Sequence, residues 1–233
     1  MKFVSWNCNG ALRKKLDRLI SLDADICIIQ ECEDPAKSTD FQYQQWASNY
    51  LWLGKNKNKG LAIFAKPHIT LEKLDLESGK LESFIPCKIN NRAILLAIWT
   101  RQANSPTFGY IGQLWKFLQI HKQALSSDNI LIIGDLNSNA RWDVWDRWWN
   151  HSDVVRELHE IGIHSLYHHE TGELQGQETQ HTFYMYRKLE KPYHIDYAFL
   201  SAPLLQSSNI SIGAPSEWLE YSDHMPVILE AAI

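Results

Sequence analysis

The chain has 233 residues, 45% of them hydrophobic, and a formal net charge of −4. That length and apolar content suit one large domain with a sizeable core, so we expect residues 1–233 to form a single domain rather than two small ones. The acidic balance excludes a strongly basic nucleic-acid binder, so that affinity for nucleic acid would need a local basic patch or a bound metal.

In the first half of the chain, short apolar runs alternate with turn-forming residues. Helical spacing of the leucines predicts an amphipathic helix over residues 11–22. Apolar runs bounded by turn signals predict strands at 2–6, 26–29, 61–65, 82–86 and 93–99, with an exposed turn at 55–60.

The second half repeats this outline. Helices are predicted over 110–126 and from a cap at Ser152 or Asp153 to Ile161, before Gly162. Strands are predicted at 130–133, 163–167, 181–186, 194–200, 209–212 and 225–232. Consecutive strands with few helices predict an α/β fold in which two mixed sheets pack face to face between helices, a four-layer α/β/β/α sandwich.

The stretch ILIIGDLN, residues 130–137, ends a buried strand in a carboxylate and a carboxamide. Asp135 and Asn137 would point the same way, because side chains alternate along a strand. A turn is the ordinary interpretation. The alternative is a polar pair at the mouth of a sheet, where ligands often bind.

Other strand ends carry similar residues: Asn7, Asn9, Glu31, Asp196, Asp223 and His224. Asp196 lies between Ile195 and Tyr197 in an apolar strand, where a carboxylate needs a partner such as a histidine, or a metal. Glu31, Asn9 and Asp223 offer the oxygen ligands that Mg²⁺ or Mn²⁺ prefers. If these ends meet, the set suits hydrolysis of a phosphoester.

Five sequences in this order, SWNCNG, IIQE, GDLN, HIDYAFLS and SDHMP, resemble the motifs of the endonuclease/exonuclease/phosphatase superfamily. This superfamily includes exonuclease III, abasic-site endonucleases and deoxyribonuclease I. The resemblance covers residues 5–226 and implies in-line attack of water on phosphorus, usually with Mg²⁺.

The resemblance also implies a role for each motif residue. Asn7 would orient phosphate or water, and Glu31 would be the principal metal ligand. Asp135 and Asn137 would act on the attacking water and the transition state. Asp196 and His224 would form an acid–imidazole pair, while Asp223 would serve the metal or the water.

Three positions depart from the family pattern. Asn9 stands where the abasic-endonuclease branch usually has Asp. Trp99 and Thr100 stand where many relatives place a Tyr or His that contacts phosphate, so that Arg101 or Tyr110 would take over that contact, unless Arg101 is merely solvated. His194 stands where relatives often have Arg, either as a substrate contact or as a histidine satisfied within the sheet.

Four tryptophans follow the GDLN motif: Trp142, Trp145, Trp148 and Trp149. Core packing is the ordinary interpretation, and stacking of one or two rings on a base or sugar is the alternative. His181 and Arg187 are weaker candidates for substrate contact. A histidine group at 164, 168 and 169 is remote from the motifs, and we do not expect it to bind metal.

The leading hypothesis is therefore a Mg²⁺- or Mn²⁺-dependent nuclease, with DNA favoured over RNA. The alternative is a phosphatase or phosphodiesterase that acts on a small phosphorylated molecule. An inactive binding module is disfavoured, because such a module would have little physical reason to keep a set of costly buried charges. No C-x-x-C pair, signal peptide or membrane span is evident. We expect a cytoplasmic monomer with buried free thiols and no membrane partner.

Overall fold

The computed structural model describes residues 1–76, 79, 81–103, 105–126 and 129–233. Within these residues the strands are β1 (Lys2–Asn7), β2 (Ile26–Cys32), β3 (Tyr50–Asn56), β4 (Lys59–Ala65), β5 (Leu71–Lys73), β6 (Phe84–Ile89), β7 (Ala93–Trp99), β8 (Ile130–Asp135), β9 (Ile163–Ser165), β10 (Phe183–Tyr184), β11 (Pro192–Tyr193), β12 (Asp196–Ser201), β13 (Asn209–Ile212) and β14 (Val227–Glu230). The α-helices are α1 (Leu16–Ile20), α2 (Phe41–Trp46), α3 (Ile111–His121), α4 (His151–His159), α5 (Leu166–Thr171), α6 (Ala202–Leu205) and α7 (Pro215–Trp218). Short 3₁₀ turns occupy Leu12–Lys14, Pro35–Lys37, Lys122–Leu125, Ala140–Trp142 and Met185–Arg187.

The strands form two six-stranded sheets and one small hairpin. The first sheet has the order β13-β14-β1-β2-β4-β3, and the second has the order β5-β6-β7-β8-β12-β9. Each contains one parallel pair, β1–β2 and β7–β8 respectively, among antiparallel pairs, so both sheets are mixed as predicted. The hairpin pairs β10 with β11.

Alternation along β8 shows how the layers arise. Leu131 and Ile133 join the core between the sheets, whereas Ile130 and Ile132 join a second core against α3 and α4. A third core packs α1, α2 and α7 against the outer face of the first sheet. The predicted four-layer α/β/β/α sandwich is therefore confirmed.

The predicted helix over 11–22 is wrong as a single element. It is a 3₁₀ turn followed by α1, because Ala11 has the left-handed φ of 52° and Lys15 interrupts the helix with φ −124°. The Lys15 ammonium turns back to donate a hydrogen bond to the carbonyl oxygen of Cys8. A local contact of this kind leaves no trace in the apolar spacing.

The predicted strand at 163–167 also ends early, since β9 stops at Ser165 and α5 begins at Leu166. All four cysteines are buried and free, as predicted. None of the helices in the described part of the chain has both the length and the hydropathy to cross a bilayer.

Candidate active site

Strand pairing brings the polar strand ends to one edge of the sandwich. Asn7 ends β1, and its partner in the parallel pair is Gln30, directly before Glu31. In the second sheet Asp135, the last residue of β8, pairs with Asp196, the first residue of β12. Contacts between β1 and β8 join the two sheets at this edge.

The conformation and surroundings of Gly134 explain why the GDLN motif begins with glycine. Its φ is +152°, and a Cβ added there would lie 1.9 Å from the carbonyl oxygen of Ile98 on β7. Only glycine fits this close approach of β8 to β7, which sets the position of the next residue, Asp135.

The carboxylate of Asp135 is fully buried and accepts hydrogen bonds from both sheets. Its Oδ2 accepts from Nδ2 of Asn7 at 3.0 Å and from Nδ2 of Asn137 at 2.9 Å, while its Oδ1 accepts from the backbone N–H of Asn137 at 2.8 Å. Asn137 also donates to the carbonyl oxygen of Thr100 at 2.9 Å. The three motif residues thus form one rigid group.

Asp196 and His224 form a buried pair beside this group. Nδ1 of His224 lies 2.9 Å from Oδ2 and 3.2 Å from Oδ1 of Asp196. The backbone N–H of Asp196 donates to Oγ1 of Thr182, and the backbone N–H of His224 donates to Oγ of Ser222. Ser222 in turn donates to the carbonyl oxygen of Asn7 at 2.7 Å, which ties the pair to β1.

Burial and charge together shift the titration of this cluster. Burial, then the negative charge of Asp196, raises the pKa of Asp135 to about 7, although His224 and the Asn7 hydrogen bond oppose the shift. Burial alone would lower the pKa of His224, but the carboxylates of Asp196 and Asp135 outweigh it and raise that pKa to about 9. Near neutral pH the imidazole is therefore cationic and Asp135 is poised to exchange a proton.

Among the described His, Cys, Asp and Glu residues, one group at this edge could hold a metal ion. One atom each of Asp135, Asp196 and His224 lies within 4.8 Å of the others. The predicted ligands Glu31, Asn9 and Asp223 are not members of this group. Nδ2 of Asn9 donates to Oδ1 of Asp223 at 3.0 Å, and the carboxylate of Glu31 pairs with Lys59.

Glu31 lies at a bulge in β2 with a left-handed φ of 65°. Its carboxylate pairs with the ammonium of Lys59 at 2.8 Å. The carboxylate of this predicted ligand is thus already paired with a cation. This donor chemistry fits Mg²⁺ or Mn²⁺ at Glu31, Asn9 and Asp223.

The predicted substrate contacts differ in exposure. Trp99 is 5% exposed and belongs to the core between the sheets, with the cations of Lys59 and Arg101 5.7 and 5.0 Å from its ring centre. Arg101 is paired with Glu82 at 2.7 Å, so it is more than a solvated cation. Tyr110 is 46% exposed before α3.

Among the remaining candidates, Trp142 is 42% exposed, and His181 is half-buried against Tyr184. His194 is buried between β11 and β12. Its Nδ1 lies 2.8 Å from the carbonyl oxygen of Gln180, whereas its buried Nε2 has no hydrogen-bond partner within the described residues, so the ring is only half satisfied. Arg187 donates to the carbonyl oxygen of Glu220.

The histidines at 164, 168 and 169 do not gather into a metal site in the described residues. His168 is held by hydrogen bonds to Ser165 and Gln175, and its Nε2 lies 3.2 Å from a carboxylate oxygen of Glu178.

Sequence reasoning missed four residues that support the cluster: Lys59, Thr182, Phe183 and Ser222. Ser222 stands inside the SDHMP motif, so its position was the one available signal. The hydroxyl of Thr182 accepts from the backbone N–H of Asp196, the Phe183 ring contacts that of His224, and Lys59 forms an ion pair with Glu31. All three contacts depend on which strands become neighbours.

A sequence profile of the Endonuclease/Exonuclease/phosphatase family matches residues 4–224. No curated protein sequence is a significant match.

Three solved structures that resemble the chain overlap it over 100% of both chains. A 3′ phosphatase NExo from Neisseria, bound to a product DNA hairpin, has a TM-score of 0.75 at 18% identity. A 3′-5′ exonuclease (NExo) from Neisseria meningitidis has a TM-score of 0.74 at 18% identity. An AP endonuclease from Archaeoglobus fulgidus has a TM-score of 0.73 at 19% identity. At these identities the likeness shows the fold.

Proposed function

Because the chain belongs to the Endonuclease/Exonuclease/phosphatase family, we propose that residues 1–233 form one catalytic domain that hydrolyses phosphodiester bonds in DNA with the help of a divalent metal. The supporting observation is the buried cluster of Asp135, Asp196 and His224 with the two carboxamides of Asn7 and Asn137. Burying such charges costs free energy that a purely structural core would avoid. A reaction that needs them accounts for their presence.

Asp135 is the proposed acceptor of the proton from the attacking water. A pKa of about 7 matches a base that works near neutral pH. Asn7 and Asn137 donate to its Oδ2, which fixes the orientation of the carboxylate. The water would attack phosphorus in line with the leaving oxygen.

His224 is the proposed donor to the phosphoryl oxygens. Asp196 holds its Nδ1, so Nε2 is the nitrogen that remains to face the substrate. With a pKa of about 9, the ring is cationic near neutral pH and stabilises the negative charge that grows in the transition state.

Glu31, Asn9 and Asp223 are the proposed ligands of Mg²⁺ or Mn²⁺. The bound ion would neutralise phosphate charge and stabilise the leaving oxygen. Until it binds, Lys59 neutralises Glu31.

DNA is favoured over RNA because the similar solved structures include a 3′ phosphatase bound to a DNA hairpin and an AP endonuclease. The second candidate substrate is a small phosphoester such as a nucleotide. The net charge of −4 favours it, because the chain offers no overall attraction for a polyanion.

The test is incubation of the purified protein with Mg²⁺ or Mn²⁺ and a panel of abasic duplex, single-stranded and duplex DNA, RNA and bis-p-nitrophenyl phosphate. Asp135→Ala and His224→Ala are compared with Glu72→Ala, which removes an exposed carboxylate from the edge strand β5. Metal-dependent DNA cleavage that only the first two variants lose supports the proposal. Cleavage of the small diester alone supports the second candidate, and no turnover in any arm overturns both.

A further inference from the structure

The segment after the GDLN motif displays tryptophans to solvent. Trp145 is 96% exposed, Trp148 63% and Trp142 42%. Of the four tryptophans, only Trp149 packs against its neighbours as the ordinary interpretation predicted. It is half-buried, and its ring lies 4.8 Å from that of Phe108. Exposed rings contribute little to folding, so their position calls for another physical reason.

This segment is held in a fixed shape despite its exposure. The buried amide of Asn150 accepts from the backbone N–H of Val144 at 3.0 Å and donates to the carbonyl oxygens of Val144 and Arg147 at 3.0 and 2.6 Å. The carboxylate of Asp143 accepts from the first two backbone N–H groups of α4. Trp145 therefore projects from an ordered loop, which reduces the entropy lost when a ligand binds.

A row of ring contacts joins this loop to the candidate active site. The Phe183 ring lies 4.6 Å from that of His224 and 6.2 Å from that of Tyr193, and the Tyr193 ring lies 5.1 Å from that of Trp142. Phe183 and Tyr193 are half-buried, so each keeps part of its ring open.

Unpaired nucleobases match this surface best. Every base has a flat apolar face that stacks on aromatic rings, and stacking needs no net positive charge on the protein. That suits a chain whose net charge is −4. A base inside a duplex is stacked on both faces and paired, so the rings could reach it only where the strand is open.

We propose that Trp142 and Trp145 bind unpaired nucleobases beside the candidate active site, which makes single-stranded DNA, or an unpaired strand end, the preferred substrate. The exposed Arg141 beside Trp142 supplies a cation for the backbone phosphate. This inference rests on the proposed function for its scissile bond, but base stacking itself can be measured without turnover.

The test is the Kd of a short labelled oligothymidylate and of a blunt duplex of the same length, by fluorescence anisotropy in EDTA. The variants are Trp145→Ala, Trp145→Phe and Trp142→Ala. The control is Ile120→Ala, which also removes an exposed apolar side chain, since Ile120 is 60% exposed. Ile120 lies near the C-terminal end of α3, and the chain continues from there to the start of β8. Asp135 lies at the opposite end of β8.

We expect the wild type to bind the single strand more tightly than the duplex. Trp145→Ala should raise the single-strand Kd by about tenfold and the duplex Kd much less, with Trp145→Phe close to wild type. Equal single-strand Kd values for wild type, Trp145→Ala and Trp142→Ala overturn the inference, even if the protein cleaves DNA. If single-strand binding depends on Trp145 but the protein does not cleave DNA in Mg²⁺, the inferred stacking surface stands and the proposed function is overturned.

Discussion

Nδ2 of Asn7 donates a hydrogen bond of 3.0 Å to Oδ2 of Asp135, and the two residues end strands of different sheets. The bond is buried and joins positions 128 residues apart in sequence. It couples the orientation of the proposed base to the packing of the two sheets.

Replacing Asn7 should therefore lower activity without unfolding the protein. Loss of one hydrogen bond to a charged group should reduce kcat by about 10- to 100-fold in Asn7→Ala. The pKa of Asp135 should also rise, because that bond favours its ionised form. Steady-state kinetics across pH measure both effects.

A matched control for this variant is Asn49→Ala. Its Nδ2 donates to the carbonyl oxygens of Lys66 and Ile69, so the change removes a structural amide of the same kind from a loop outside the cluster. A kcat that falls equally in both variants would contradict the assigned role of Asn7.

The pH profile of kcat/KM should be bell-shaped. Activity should rise through about pH 7 as Asp135 loses its proton, and should fall above about pH 9 as His224 loses its own. In Asp196→Asn the alkaline limb should move to lower pH, because the carboxylate that raises the pKa of His224 is gone. NMR titration of the His224 ring checks this directly, and an unmoved titration would count against the pair.

Metal affinity should depend on Lys59 as well as on Glu31. Glu31→Gln should weaken Mn²⁺ binding because it removes a charged ligand. Lys59→Met should tighten it by about two- to fivefold, since a partly exposed ion pair of this kind holds up to about 1 kcal/mol. Calorimetric titration with Mn²⁺ measures both, and Lys57→Met, an exposed lysine of the adjacent turn, is the control.

Acid should destabilise the fold through two buried histidines. Burial lowers the pKa of His151 and of His194 to about 4. Each folded-state pKa lies below the unfolded value, so the stability is present above about pH 6.5 and is lost as pH falls towards 4. Asp135, with its raised pKa, acts in the opposite direction in part of this window.

The decisive measurement is urea unfolding of wild type and His151→Gln between pH 4 and 7. The variant should lose stability less steeply on acidification, by about 1.4 kcal/mol per pH unit at most, because one titrating group is gone. Parallel slopes would show that His151 does not titrate in this way.

The sequence alone determined the strand core and the chemistry at its edge. Apolar runs predicted β7 with its observed bounds and located β8, because burial on both faces selects continuous aliphatic residues. Five short motifs in order identified the family, since they place hard oxygens and one imidazole at strand ends.

The tertiary structure alone decided how these residues meet. Asn7 with Asp135, and Lys59 with Glu31, are pairs that no local pattern links. Four tryptophans in one short run gave no sign that Trp149 would pack and Trp145 would face solvent. Periodicity records which residues avoid water within one element, whereas partners and exposed faces depend on sheet order and on contacts between distant parts of the chain.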